Sequence, residues 1–130
     1  MLGGSCLCGA VAYECGPLAT PIGLCHCRTC QKAHASAYAP TARISRTAFK
    51  WVRGEDVVTA FESTPGKNRW FCPRCGTHLM AEWADQDEVI LRVGSLDTLL
   101  DQKPAVHIWM SDATPMLEAP PSIPAFEKGR

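Results

Sequence analysis

The sequence predicts a mainly β fold of antiparallel sheets with one or two short helices. One observation behind this prediction is that short apolar or alternating runs recur along the chain, each bounded by Gly, Pro, Asp or Asn. The other is that few stretches show the periodicity of a helix. The predicted strands cover residues 10–14, 38–44, 57–62, 69–71, 78–83, 88–94 and 106–110.

Two of these strands show the alternation expected when one face of a sheet is buried. Val11 and Tyr13 alternate with small or polar neighbours in the first predicted strand. Val89, Leu91 and Val93 alternate with Glu88, Ile90 and Arg92 in the sixth. These five side chains are therefore expected to face the core.

The helices are predicted from helix start and stop signals, and the domain boundary from the chain length and the position of the prolines. Only residues 28–35 and 95–100 can form a turn or two of helix. A chain of 130 residues has the usual length of one domain, which we predict to cover residues 1–113. Residues 114–130 form a proline-rich tail that is expected to pack on the surface or to be mobile. Its prolines are Pro115, Pro120, Pro121 and Pro124.

Composition and charge narrow the class of protein. Thirteen Lys and Arg balance thirteen Asp and Glu, whereas a nucleic-acid binder normally carries a basic excess. No apolar run approaches the roughly 18 residues needed to cross a bilayer. The first residues, MLGGSCLCGAVAYECG, lack the positively charged start of a secretion signal. We therefore expect a cytoplasmic protein that binds neither membranes nor nucleic acid.

Eight cysteines are the most unusual feature of the composition. Their even number would allow four disulfides, but structural disulfides are rare in a reducing compartment and belong mainly to shorter secreted chains. Seven of the eight fall into three clusters with the spacing of metal ligands. Metal binding is therefore the favoured interpretation.

The motif CPRCG at residues 72–76 has the properties of a zinc knuckle. Cys72 and Cys75 supply two thiolates at one turn, and Pro73 presets that turn. Gly76 has no Cβ, so it can adopt the left-handed conformation that the turn requires. The spacing predicts half of a tetrahedral site.

The motif CLCG at residues 6–9 is a weaker knuckle that lies at the start of a predicted strand. It has one spacer fewer, but it also ends in a glycine, Gly9. Cys6 and Cys8 would complete a closed four-thiolate site with Cys72 and Cys75. Such a site is structural, since the metal contributes directly to folding.

The third cluster, CHCRTC at residues 25–30, offers Cys25, Cys27 and Cys30. Three protein ligands leave the fourth position of a tetrahedral zinc open. Spacing alone also allows Cys27 and Cys30 to pair with Cys72 and Cys75 as a zinc ribbon. It equally allows a fourth protein ligand, for which the candidates are His26, His34, His78, His107 and Cys15.

With these motifs the sequence resembles the glutathione-dependent formaldehyde-activating enzyme family, which also includes centromere protein V. The segments that carry the resemblance are GSCLCGAV at 4–11, CHCRTCQKAHAS at 25–36, FCPRCGTHL at 71–79 and HIW at 107–109. They span most of the chain, in the order that the family shows.

The resemblance implies an Mss4-like, or β-tent, fold with two zinc positions. It favours a structural zinc on Cys6, Cys8, Cys72 and Cys75, and a catalytic, substrate-facing zinc on Cys25, Cys27 and Cys30. It also implies a carbon–sulfur lyase-type reaction that joins glutathione to formaldehyde as S-hydroxymethylglutathione. The alternative, suggested by centromere protein V, is a non-catalytic zinc module for protein or chromatin interaction.

An open site of three thiolates suits thiol chemistry. A thiol bound to the metal is deprotonated, and the thiolate is the nucleophile. The developing alkoxide needs a proton donor, for which His26 and His34 are candidates by proximity. Glutathione carries two carboxylates, which Arg28, Lys32 or Arg69 could bind. Because the fourth ligand is exchangeable, we expect partial zinc occupancy at this site.

Overall fold

The computed structural model describes residues 1–117 and 123–129. The chain divides into two compact units, each built from two separate stretches of sequence. The large unit contains Met1–Thr20 and Ala42–Leu100, and the small unit contains Pro21–Thr41 and Asp101–Arg130. The predicted boundary at residue 113 stays a prediction.

The described residues form ten strands and one α-helix, so the predicted mainly β class is confirmed. The strands are β1 (Leu2–Ser5), β2 (Ala12–Cys15), β3 (Gly23–Cys25), β4 (Ala39–Ser45), β5 (Phe49–Arg53), β6 (Thr59–Thr64), β7 (Lys67–Phe71), β8 (His78–Trp83), β9 (Glu88–Arg92) and β10 (Val106–Ile108). The helix α1 spans Arg28–His34, and short 3₁₀ turns span Arg46–Ala48, Val93–Ser95 and Met110–Asp112.

The large unit is built from two sets of strands. In the first set, β2 lies between β1 and β5, and all three strands are antiparallel. The second set has the order β4, β9, β8, β7, β6, with residues 42–45 of β4 belonging to this unit. The pairs from β6 to β9 are antiparallel hairpins, as the short and evenly spaced runs in the sequence predict.

The core of the large unit is apolar and surrounds Tyr13. Its largest fully buried side chains are Tyr13, Ile44, Leu79, Leu91, Val11 and Val89. Burying a side chain of this size contributes about 1.5 to 3 kcal/mol. The Tyr13 hydroxyl is satisfied by Ser95 Oγ at 2.7 Å. The Tyr13 hydroxyl also explains why residue 4 is a glycine, because a Cβ on that residue would lie 2.2 Å from the hydroxyl oxygen.

The small unit combines three strand segments with α1. Strand β10 pairs with β3 in parallel, so that His107 lies opposite Leu24. On its other side, β3 pairs antiparallel with residues 39–41 of β4. Helix α1 begins directly after Cys27 and ends at His34, and its C-cap Ala35 has a left-handed φ of 48°. No helix in the described ranges is long and apolar enough to span a membrane.

Part of the predicted proline-rich tail extends the small unit. The backbone N–H of His107 donates to the Pro124 carbonyl at 2.7 Å, and the N–H of Phe126 donates back to the His107 carbonyl at 3.0 Å. The N–H of Trp109 donates to the Lys128 carbonyl at 3.0 Å. Residues 123–129 therefore lie beside β10. Pro120 and Pro121 lie outside the described residues.

The prediction of a second α-helix at residues 95–100 is wrong. The segment begins with the 3₁₀ turn Val93–Ser95 and then runs without regular structure. The backbone N–H groups of Asp97 and Thr98 both donate to the carbonyl of Gly3, at 2.9 and 3.1 Å. Leu96 is extended, with φ of −67° and ψ of 135°, and it bridges Gly4 of β1, so the segment pairs with that strand instead of forming a helix.

Three strands were not predicted from the sequence. Strand β1 contains two glycines, which are weak strand formers, and it is held by pairing with β2. Strand β3 has only three residues and ends at the ligand Cys25. In β5, Phe49 and Trp51 pack on the core while the alternate positions are exposed. The basic residues around β5 masked this alternation in the sequence.

Candidate metal centres

The four-cysteine cluster lies within the large unit. Cys6 and Cys8 follow β1, and Cys72 and Cys75 follow β7. The four sulfur atoms all lie within 4.8 Å of one another. The Cys6 and Cys8 sulfurs are 3.6 Å apart, and those of Cys8 and Cys72 are 3.8 Å apart. Zinc–sulfur bonds of about 2.3 Å in a tetrahedron place the sulfurs about 3.8 Å apart, so these four thiols fit zinc.

The turns that carry these ligands have the predicted backbone. Gly9 has φ of 80° and Gly76 has φ of 81°, both left-handed. The Gly76 N–H donates to the Cys72 carbonyl at 2.7 Å, which closes the knuckle. The Val11 N–H donates to the Cys6 sulfur at 3.2 Å. Such donors stabilise a thiolate, which is the form that binds a metal.

Thr77 contributes to the same cluster and was missed by sequence analysis. Its hydroxyl oxygen lies 3.3 Å from the Cys75 sulfur and accepts from the Leu7 N–H at 3.0 Å. The hydroxyl, followed by the backbone N–H of the same residue, lowers the pKa of Cys75 to about 5. Thr77 therefore favours the thiolate and links the two knuckles. Its position two residues after Cys75, the second cysteine of CPRCG, is the feature of the sequence that could have indicated this contact.

The three-cysteine cluster lies within the small unit. Cys25 ends β3, Cys27 is the N-cap of α1, and Cys30 lies in the first turn of that helix. Their sulfurs all lie within 4.8 Å of one another. The Cys30 N–H donates to the Cys27 sulfur at 3.3 Å. The neighbouring thiols of Cys27 and Cys30, together with burial, raise the pKa of Cys25. A divalent cation would offset this crowding, so the donor set fits zinc.

The described residues supply no fourth ligand to this cluster. No other His, Cys, Asp or Glu among them has a ligand atom within 4.8 Å of all three sulfurs. The candidate ligands His26, His34, His78, His107 and Cys15 therefore do not join it, and the zinc-ribbon pairing does not occur. None of the eight cysteines, all of which are described, forms a disulfide. A tetrahedral ion bound here would have one position that the described residues leave open.

His26 lies between the ligands Cys25 and Cys27 in sequence, but its side chain is buried within the small unit. It is 2% exposed, and its Nε2 lies 2.8 Å from Nδ1 of His107, which is also 2% exposed. Burial and the nearby His107 lower the pKa of His26, so the neutral imidazole is favoured. Sequence analysis named His107 only as a candidate ligand, and this contact was missed because the two residues are 81 positions apart.

The remaining candidates divide between the two units. Arg28 and Lys32 are exposed and His34 is partly exposed, and all three lie on α1 with Cys30. The Arg28 Nη1 donates to Gln31 Oε1 at 2.9 Å. Arg69 is different, because it is 3% exposed in β7 of the large unit and its Nε donates to Ser63 Oγ at 2.8 Å.

Comparison with known proteins adds a family match and a structural neighbour. The family model described as glutathione-dependent formaldehyde-activating enzyme matches residues 1–112. A solved structure, titled as a Rhodobacter sphaeroides protein and a structural genomics target, is 24% identical with a TM-score of 0.65. The similarity covers 76% of this chain and 91% of that chain, and it supports the fold. No curated protein matches this sequence.

Proposed function

Because this chain belongs to the glutathione-dependent formaldehyde-activating enzyme family, whose fold is Mss4-like, we propose that it is a zinc-dependent enzyme of the carbon–sulfur lyase type. The proposed substrates are adducts of small thiols. The proposed pair is glutathione and formaldehyde, joined as S-hydroxymethylglutathione. Family membership supports formaldehyde activation, while the lyase class and the identity of the thiol are part of the proposal.

The observation that carries the proposal is the incomplete ligand set at Cys25, Cys27 and Cys30. Their sulfurs are close enough to bind one ion, and no fourth described residue completes the set. A structural zinc is normally closed by four protein ligands, whereas a catalytic zinc keeps a position for a substrate or water. The three-cysteine cluster therefore has the character of a reaction site.

Zinc bound by these three sulfurs would hold a substrate thiol as a thiolate in the fourth position. The protein prepares this site in two ways. Cys27 accepts the Cys30 N–H at 3.3 Å, which orients its sulfur at the start of α1. Cys25 and Cys30 are buried, whereas Cys27 is partly exposed, so a substrate can approach from the side of Cys27.

Addition of a thiol to formaldehyde forms one carbon–sulfur bond and converts the carbonyl to an alcohol. The thiol proton leaves the sulfur, and one proton must reach the new alkoxide oxygen. We assign this proton transfer to His34, because it lies four residues after Cys30 on α1, on the same face of the helix. His26 is assigned a positioning role, since it is buried and its Nε2 contacts His107.

The carboxylates of glutathione require cationic partners at the surface. Arg28 and Lys32 are proposed for this role, because both are exposed on α1 near the ligand Cys30. Exposed charges of this kind mainly orient and attract a ligand and contribute modestly to affinity. Arg69 is not part of the proposal, because it is buried and donates to Ser63.

The proposal is tested by comparing Cys27→Ser with Cys15→Ala, a control that removes a thiol outside both clusters. Zinc per chain is measured by atomic emission, and exchange between free and adducted formaldehyde is measured by NMR, because thiols add to formaldehyde without a catalyst. With zinc in excess, the wild type and Cys15→Ala should bind two zinc ions and accelerate the exchange. Cys27→Ser should bind one zinc ion and leave the exchange at its uncatalysed rate.

Two other results would change the conclusion. A wild-type protein that binds two zinc ions but accelerates no thiol exchange would reject the enzyme and favour the non-catalytic zinc module. Acceleration with other thiols but not with glutathione would keep the reaction class and reject glutathione as the substrate.

A further inference from the structure

Gln31 follows the last ligand of the three-cysteine cluster and is 4% exposed, although α1 otherwise buries only Cys30. Its Nε2 donates to the carbonyl of His26 at 2.7 Å and to the carbonyl of Asp112 at 2.9 Å. Its Oε1 accepts from Arg28 Nη1 at 2.9 Å. Carbonyl oxygens can only accept, so the amide can take only this orientation. Both amide hydrogens and the amide oxygen are in use.

These hydrogen bonds join the ligand loop to the turn that follows β10. The His26 carbonyl lies between Cys25 and Cys27, and Asp112 ends the 3₁₀ turn Met110–Asp112. The ligand loop is also joined to β10 itself, because the His26 N–H donates to the Ile108 carbonyl at 2.9 Å. The Gln31 amide therefore bridges the loop and the turn, because it donates to one backbone carbonyl in each, that of His26 and that of Asp112.

We propose that Gln31 is a positioning residue that fixes the Cys25–Cys30 loop in its metal-binding geometry. A site with four protein ligands restrains its own loops once the metal is bound, but a site with three ligands has one restraint fewer. The hydrogen bonds of Gln31 supply an additional restraint. Groups that orient metal ligands typically change metal affinity by about 10- to 100-fold when removed. The inference rests on the proposed metal site at Cys25, Cys27 and Cys30.

The test uses cobalt(II) as a spectroscopic substitute for zinc in the full-length protein. Cobalt bound by thiolates gives sulfur-to-metal charge-transfer bands, and tetrahedral sites give intense d–d bands. A Cys27→Ser variant supplies the spectrum of the four-cysteine site alone, so the signal of the three-cysteine site is obtained by difference. The four-cysteine site then acts as an internal control for the fold of each variant.

Two substitutions probe the amide. Gln31→Met keeps the length of the side chain but removes its donors, and Gln31→Glu directs carboxylate oxygens at two carbonyl oxygens. We expect cobalt affinity at the three-cysteine site to fall by about 10- to 100-fold in Gln31→Met and by more in Gln31→Glu. Affinity at the four-cysteine site should not change. Gln102→Met makes the same substitution at an exposed glutamine of the small unit and should leave cobalt affinity at both sites unchanged.

Wild-type cobalt affinity and spectra at the three-cysteine site in both Gln31 variants would overturn the inference. Equal losses at both sites, with a lower melting temperature, would also overturn it, because they indicate a general role in folding. The proposed function fails by a separate result, namely a wild-type cobalt spectrum that changes neither with glutathione nor with any other small thiol.

Discussion

The two cysteine clusters differ in how far apart along the chain their ligands lie. In the four-cysteine cluster, Cys8 and Cys72 are 64 positions apart, yet their sulfurs are 3.8 Å from each other. In the three-cysteine cluster, all ligands come from six consecutive residues. A metal that joins distant segments stabilises the fold, because the unfolded chain lacks the preformed site. A metal in one short loop stabilises little beyond that loop and can exchange its fourth ligand without loss of the fold.

The largest effect expected from this difference is the loss of folding in Cys75→Ser. Structural zinc binds zinc-finger peptides with about 10 to 16 kcal/mol, which equals or exceeds the usual stability of a domain. We therefore expect Cys75→Ser to lose its cooperative melting transition by circular dichroism or to aggregate.

The matched variant for this prediction is Cys27→Ser, which removes one ligand of the three-cysteine cluster. It should keep a cooperative transition close to that of the wild type. A Cys75→Ser protein that melts like the wild type would show that the four-cysteine cluster is not needed for the fold, and the contrast between the clusters would be lost.

A smaller effect is expected from Thr77→Val, which keeps the shape of the side chain and removes its hydroxyl. This hydroxyl contacts the Cys75 sulfur and accepts the Leu7 N–H, so its removal weakens the orientation of two ligand turns. We expect zinc affinity at the four-cysteine site, measured by competition with a chelator, to fall at least about tenfold.

The control for this experiment is Thr59→Val. The Thr59 hydroxyl is exposed and donates to the Val57 carbonyl in its own segment, away from any ligand in sequence. Thr59→Val should therefore leave zinc affinity at the four-cysteine site unchanged. Equal affinity in the two variants would mean that the ligand turns are held by their backbone alone.

Features decided within a few residues could be predicted from the sequence. The knuckle at 72–76 is one case, because proline, two cysteines and glycine fix the turn locally. Helix α1 is another, and the predicted range 28–35 differs from the observed Arg28–His34 by one residue. Strand β8 matches its predicted range of 78–83. The grouping of the seven cysteines into two clusters is an exception, because it joins distant motifs and was favoured by the family resemblance.

Features that depend on partners distant in sequence could not be predicted. The segment at 95–100 has helical composition, but its N–H groups pair with Gly3, more than 90 residues earlier. The contact of His26 with His107 and that of Gln31 with Asp112 each join residues 81 positions apart. A single sequence carries no signal for such pairs, because either residue alone is compatible with a surface position.

The smallest expected effect concerns the backbone of the knuckle, and it separates conformational strain from steric clash. Gly76 has φ of 81°, and a Cβ placed on it would have open space around it. Gly94 also has open space, but its φ is not in the left-handed region. Gly76→Ala should therefore lower the free energy of unfolding by about 1 kcal/mol, since a left-handed conformation strains an alanine. Gly94→Ala should be neutral or stabilising, by up to about 1 kcal/mol, because alanine restricts the unfolded chain.

Chemical denaturation of the zinc-loaded proteins measures this difference. The three-cysteine loop has no counterpart of Gly76, because its last ligand, Cys30, lies in an α-helix that needs no positive φ. The penalty should therefore appear only in the knuckle. Equal stability of Gly76→Ala and Gly94→Ala would mean that the knuckle tolerates an ordinary conformation after Cys75. The glycine of the CPRCG motif would then have no role in forming the metal site.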